Sequence, residues 1–113
     1  MNEIQIAIVN ALADGKEMKV REIAEKIRKD TKIGQRQCEA RCRYQLSILE
    51  AYGIVDMRTE RWNKTKIYKL HDGVEILSGR IELKEGDEIK YVHEIDRMLR
   101  VPLEDGSAAL TVL

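Results

Sequence analysis

Side chains suited to recognising nucleic acid are concentrated in residues 35–51. At 100° per residue, four apolar residues share one narrow arc of a helix, which predicts a buried stripe formed by Cys38, Cys42, Leu46 and Leu49. The opposite face carries Arg36, Gln37, Ala40, Arg41, Arg43, Tyr44 and Ser47. Arginine can form two hydrogen bonds with guanine, glutamine can do the same with adenine, and alanine allows a close approach. This pattern favours a helix that enters the major groove of DNA, and a solvated amphipathic helix is the alternative.

The two cysteines permit a second kind of chemistry. Cys38 and Cys42 lie four residues apart, which fits a redox switch or half of a metal site. A zinc site needs two more ligands, and His71 and His93 are distant in sequence, so we expect the pair to pack in the core. The chain also lacks a glycine-rich phosphate loop, a His-Glu-x-x-His motif and a nucleophile elbow. We therefore expect no metal, no cofactor and no enzymatic activity.

Charge is distributed unevenly along the 113 residues. Residues 1–71 contain fifteen Lys and Arg against ten Asp and Glu, for a net charge of +5, whereas residues 72–113 have a net charge of −5. A basic half followed by an acidic half is a common layout for nucleic-acid binding combined with a second role. Charged residues make up 35% of the chain, above the typical value of about 25%, and this is a mark of thermophile proteins.

Apolar spacing predicts the elements that position these side chains. Helices are expected near residues 4–12, 20–29 and 35–51, with a turn over residues 30–34. Lys16 to Lys19 can form only a small strand or an extended link. Strand-like segments at residues 54–61 and 66–70 flank the polar tip Trp62-Asn63-Lys64-Thr65, which predicts a β-hairpin.

The predicted hairpin is rich in basic residues, which are Arg58, Arg61, Lys64, Lys66 and Lys69. A basic β-loop beside a DNA-reading helix can lie along the phosphate backbone or enter the minor groove. Trp62 at its tip could stack on a nucleotide or insert between base steps; alternatively, it folds back over the hairpin or forms a dimer contact. We assign Arg58, Arg61, Trp62, Lys64 and Lys66 to DNA binding.

In this order and spacing, the sequence resembles winged-helix DNA-binding proteins of the bacterial and archaeal repressor type, including MarR-like members. Three segments carry the resemblance: Ile23-Ala24-Glu25-Lys26-Ile27, Leu46-Ser47-Ile48-Leu49-Glu50-Ala51-Tyr52-Gly53-Ile54-Val55, and Tyr68-Lys69-Leu70. Gly73, Ile76 and Leu77 match the start of the following helix in MarR-like members. The resemblance covers about residues 3–77. It implies an α+β winged helix, with a three-helix helix-turn-helix core and a β-hairpin wing.

The remainder of the chain, residues 72–113, is an acidic C-terminal extension with two possible structures. Residues 87–99 fit a helix with acids at its start and arginines at its end, but Ile81/Leu83 and Ile89/Tyr91 also alternate as in strands. We predict a helix over residues 87–99 and a β-hairpin over residues 100–113 with Asp105-Gly106 at its turn. We expect the extension to form a homodimer, or else to pack back on the first helix of a monomer.

Together these patterns predict a cytoplasmic, nucleoid-associated regulator of transcription that binds specific sequences of double-stranded DNA and does not contact membranes. The domains are expected to be residues 1–71, which bind DNA, and residues 72–113. Helix 35–51 would read the major groove, and residues 58–66 would contact the backbone or minor groove. Two alternatives stay open: a winged-helix module that binds protein within a larger assembly, and a chromatin protein that coats DNA regardless of sequence.

Overall fold

The described residues form three α-helices, one short 3-10 helix (Ala13–Gly15) and six strands, and the strand pairing among them is antiparallel. The computed structural model describes residues 1–29 and 32–113, with only the backbone described for Ile81 and residues 93–96. The helices are α1 (Glu3–Ala11), α2 (Val20–Arg28) and α3 (Gln35–Ala51). The strands are β1 (Met18–Lys19), β2 (Val55–Thr59), β3 (Lys66–Leu70), β4 (Glu75–Glu85), β5 (Glu88–Pro102) and β6 (Ala108–Val112). The chain divides into two units, Met1–Asp72 and Gly73–Leu113.

The N-terminal unit buries one side of each helix. Asn2 caps α1 because its side chain accepts a hydrogen bond from the Gln5 backbone, and the Gln5 side chain accepts one from the Asn2 backbone. The largest fully buried side chains of the helical region are Ile8, Leu12, Ile23, Leu46 and Leu49. They occupy the apolar positions that the sequence spacing marks for burial, so the three predicted helices are confirmed. The turn expected over residues 30–34 includes Asp30 and Thr31, which lie outside the described residues.

A small sheet in the order β1-β3-β2 completes this unit. Met18 pairs with Tyr68 at one edge of β3, and Met57 pairs with the same Tyr68 at the other edge. Gly53 links α3 to β2 with a φ of 75°, a left-handed conformation that glycine adopts without steric cost. The order of three helices and a β-hairpin is compatible with a winged-helix fold, without being diagnostic of it.

The C-terminal unit is a three-stranded sheet in the order β4-β5-β6, and the helix predicted over residues 87–99 is wrong. Gly86, with a φ of 63°, turns the chain between β4 and β5, and Glu85 pairs with Glu88 across that turn. Strand pairing with β4 therefore overrides the local helical spacing. The hairpin expected after residue 100 is present, since Val101 pairs with Ala109 across the turn that contains Gly106.

Candidate nucleic-acid interface

The exposed face of α3 contains all the residues that the sequence predicts for it. Cys38, Cys42, Leu46 and Leu49 are buried, whereas Arg36, Gln37, Ala40, Arg41, Arg43, Tyr44 and Ser47 are exposed. Tyr44 is 65% exposed, so its ring is available to a partner. The predicted buried stripe is confirmed, and three guanidinium groups lie on the solvent side of one helix.

Contacts on its buried side hold α3 in place. The Cys38 thiol donates to the Ala24 carbonyl oxygen over 3.6 Å, and the Gln35 side chain donates to the Arg21 carbonyl oxygen over 3.3 Å, so both tie α3 to α2. Gln45 accepts from the Gln5 side chain of α1 over 3.0 Å. These links fix the orientation of the exposed face relative to the other two helices.

The cysteines belong to this packing. Burial, together with the neighbouring Cys38, raises the pKa of Cys42 to about 12, which keeps the thiol protonated and unreactive at neutral pH. Among the described residues, no cluster of three or more His, Cys, Asp or Glu could hold a metal ion. The two thiols therefore act as small apolar groups in the core.

The loop between β2 and β3, residues 60–65, has a defined backbone conformation. Glu60 donates its backbone N–H to the Thr65 carbonyl oxygen over 2.8 Å, and Lys64 donates to the Glu60 carbonyl oxygen over 3.1 Å. Lys64 adopts a φ of 56°, and the Asn63 side chain accepts from the Thr65 backbone. These hydrogen bonds within the loop define its conformation at the end of the hairpin.

Trp62 lies in this loop and is 90% exposed, the largest exposure among the described large apolar side chains. The Arg61 guanidinium lies 5.5 Å from the centre of its ring, which is a cation–π distance. In the N-terminal unit the indole is not folded back over the hairpin. An exposed aromatic ring beside a cation can stack on a base or insert between base steps.

A cleft of about 640 Å³ lies between α3 and the loop. Its cationic lining comes from three parts of the N-terminal unit and consists of Lys19, Arg21, Arg43, Lys64 and Lys66. Glu39, Ser47, Glu50 and the buried Tyr68 also line the cleft, and burial raises the pKa of Tyr68. The sequence analysis missed Lys19 and Arg21, because only the pairing of β1 with β3 brings them beside the loop.

The basic residues in and near the cleft, the loop and α3 form two groups, those held in ion pairs and those that are not. Arg58 donates to Glu17 over 2.8 Å and 3.4 Å, Lys19 lies 3.4 Å from Glu60, and Arg21 lies 3.5 Å from Glu25. Among the side chains that the structure describes, no ion pair engages the cations of the second group, which are Arg36, Arg41, Arg43, Arg61, Lys64 and Lys66. Six cations of α3, the loop and the first position of β3 are thus available to an anion.

Arg58 and Ser47, which the sequence predicts to bind DNA, already form hydrogen bonds within the protein. The hydrogen bond from Arg58 lowers the pKa of Glu17, and the same bond neutralises Arg58. The Ser47 hydroxyl donates to the Tyr44 carbonyl oxygen over 2.6 Å, so it can accept from a ligand but does not offer its proton. The helical spacing places Arg43 and Ser47 toward the cleft, and Gln37 and Arg41 toward the other edge of the exposed face.

No model of a known protein family matches this chain, and no curated protein matches it either. In the part of the chain that the structure describes, no helix combines the length and the apolar character needed to cross a membrane.

Proposed function

We propose that this protein binds double-stranded DNA as a winged-helix transcriptional regulator. The observation that carries the proposal is the concentration of six cations without ion pairs on α3, on the loop at residues 60–65 and at the start of β3. Cations arranged along a helix and an adjacent β-loop are suited to a phosphate backbone.

In this arrangement α3 enters the major groove with its exposed face. Gln37, Ala40, Arg41 and Tyr44 face base edges, while Arg36 and Arg43 contact phosphates. Arg61 and Lys64 of the loop and Lys66 at the start of β3 contact the adjoining backbone, and one DNA strand follows the cleft between α3 and the loop. Trp62 approaches the minor groove from the tip of the loop.

Electrostatics supply most of the affinity in this proposal. Each phosphate contact releases condensed counterions and contributes about 0.9 to the slope of log affinity against log salt. The five phosphate contacts assigned above would give a slope of about −4.5, and contacts by only some of the five would give about −3 to −4.

The test is a fluorescence-anisotropy titration of a duplex with Arg41→Ala/Arg61→Ala. Both residues are exposed and lie outside the core, so the fold should persist, as circular dichroism will verify. The matched control, Lys84→Ala/Lys90→Ala, removes the same charge from the C-terminal unit. We expect the test variant to bind at least tenfold more weakly than the control. Equal binding by both variants, with the fold intact, would contradict the assignment of these two arginines.

Competition between duplexes distinguishes a sequence-specific regulator from a chromatin protein that coats DNA regardless of sequence. A preferred site that outcompetes random sequence by about a thousandfold or more supports a regulator. Uniform affinity for all duplexes would favour a chromatin protein, and absence of DNA binding would favour a protein-interaction module.

A further inference from the structure

The C-terminal sheet has one face that is apolar across all three strands. Directly paired residues of antiparallel strands point to the same face, as do alternate residues of one strand. Leu77 pairs with Met98, and Met98 pairs with Val112 on its other side. Leu110, two residues before Val112, therefore belongs to the same face.

This face continues beyond the end of β6. The Met98 methyl group occupies the position that a Cβ on Gly79 would take, and the Met98 sulfur lies 3.2 Å from that position. Gly79 thus allows Met98 to lie flat against β4. Farther along the strands, Leu83 pairs with Tyr91 on the same side. We call the six side chains Leu77, Leu83, Tyr91, Met98, Leu110 and Val112 the apolar sheet face.

The apolar sheet face is largely exposed, whereas the other face is buried near Leu99 and Val101 and exposed at Val92 and Ile89. Five of its members have exposures of 36% to 62%, namely Leu77, Leu83, Tyr91, Leu110 and Val112. On the other face, Leu99 is 0% and Val101 is 8% exposed. When the typical apolar area of each side chain is multiplied by its exposed fraction, these five residues together expose roughly 200–400 Å² of apolar surface. That value is comparable to the largest apolar patch of a typical monomer, which is often functional.

Charges lie at the rim of this face or on the opposite side. Glu75 pairs with Arg100 at its base, so opposite charges are adjacent there. Along β4, Arg80, Glu82 and Lys84 alternate with the apolar positions and form ion pairs with one another at 2.9 Å and 3.6 Å. At the far end, Glu85 pairs with Glu88 on the same side as Leu83, so the negative charges on this side lie at the end of the ribbon, beyond the apolar side chains.

The outer part of the sheet needs a partner. β6 pairs only with the last residues of β5, from Met98 to Pro102, so residues 79–95 of β4 and β5 form a two-stranded ribbon. A two-stranded ribbon alone is at best marginally stable in water. Covering the side that contains Leu83 and Tyr91 would supply the missing burial.

We propose that the apolar sheet face binds the same face of a second copy of this chain and forms a symmetric homodimer. Two such faces would bury roughly 400–800 Å² of apolar side-chain surface, and with the polar rim the interface approaches about 1,000 Å², the lower size of specific interfaces. Interfaces of this size are typical of weak or transient association, so we expect the dimer to dissociate on dilution. Leu99 pairs with Ile76 and Val92 pairs with Glu82, so both belong to the other face.

Light scattering during size exclusion tests the proposal on the full chain between about 1 and 100 µM. We expect a mass that rises from 13.1 kDa toward about twice that value as concentration increases. Leu83→Glu/Leu110→Glu should raise the midpoint of dimerisation at least tenfold. The matched control is Leu103→Glu, because Leu103 is 47% exposed but lies in the turn after β5, outside the face.

Three results would overturn the proposal: a wild-type monomer at all concentrations, a dimer that the double variant leaves intact, or equal loss of dimer in the control. Circular dichroism of each variant reports whether the fold is retained.

The dimerisation proposal and the DNA-binding proposal can be contradicted independently of each other. The Leu83→Glu/Leu110→Glu variant should keep the salt-dependent binding of a single DNA half-site, and Arg41→Ala/Arg61→Ala should keep the dimer.

Discussion

Glu17 neutralises Arg58, one of the cations predicted to bind phosphate, and replacing it with glutamine should tighten DNA binding. The two side chains form two hydrogen bonds, the shorter of 2.8 Å, and both are largely exposed. If Arg58 contacts a phosphate, the wild-type protein must first break this pair. An exposed pair of this kind contributes little to stability, so Glu17→Gln should increase affinity by no more than about fivefold. Because Arg58 would contact the same phosphate in both proteins, the salt slope should change by less than the roughly 0.9 that a whole additional contact contributes.

Fluorescence-anisotropy titrations at several salt concentrations measure both quantities. Glu88→Gln is the matched control, because Glu88 is an exposed partner of Lys90 in the C-terminal unit and its loss changes net charge equally. The reasoning is refuted if Glu17→Gln leaves affinity unchanged or weakens it. It is also refuted if the control produces the same gain, since the effect would then reflect net charge rather than the release of Arg58.

Three other predictions concern the core and the loop. Leu46→Ala removes a fully buried side chain of α3 and should lower the free energy of unfolding by about 2–5 kcal/mol in urea, whereas a loss below about 1 kcal/mol would contradict its place in the core. Because burial raises the pKa of Cys42 from 9.0 to about 12, its contribution to stability is present below pH 9.0 and declines as pH rises toward 12. Unfolding of Cys42→Ala should therefore depend less on pH in that range, and an unchanged pH dependence would count against the buried thiol. Trp62 is the only tryptophan, so DNA should shield its fluorescence from acrylamide, and unaltered quenching would place the ring outside the interface.

The helical part of the fold could be predicted from sequence because its signals are local and agree with one another. In α3 the apolar spacing of Cys38, Cys42, Leu46 and Leu49 coincides with the observed burial, and Gly34 and Gly53 lie just beyond its ends. The exposed face of α3 follows from the same periodicity. Packing against α1 and α2 reinforces the local preference, so the predicted bounds match the observed helix.

Residues 87–99 were wrongly predicted because their local signals conflict. Ile89, Val92 and Leu99 fit a helix, and the charges at both ends suit its dipole. The deciding interaction is the pairing of β5 with β4 around Gly86, which a helical period does not reveal.

The cleft depends on contacts that are distant in sequence. Lys19 joins Lys64 and Lys66 only because β1 pairs with β3, and Glu17 reaches Arg58 across 41 positions of the chain. Neither juxtaposition has a signature in sequence spacing. Sequence reasoning therefore predicts which cations face solvent on α3, but not which cations are already neutralised.

The most direct test of the central claim is the affinity of the wild-type protein for a mixed-sequence duplex, measured by fluorescence anisotropy across a range of salt concentrations. If the available cations of α3 and the loop bind phosphates, log affinity should fall with log salt at a slope of about −3 to −5. No binding at low salt, or binding with a slope near zero, would contradict a DNA interface on this surface.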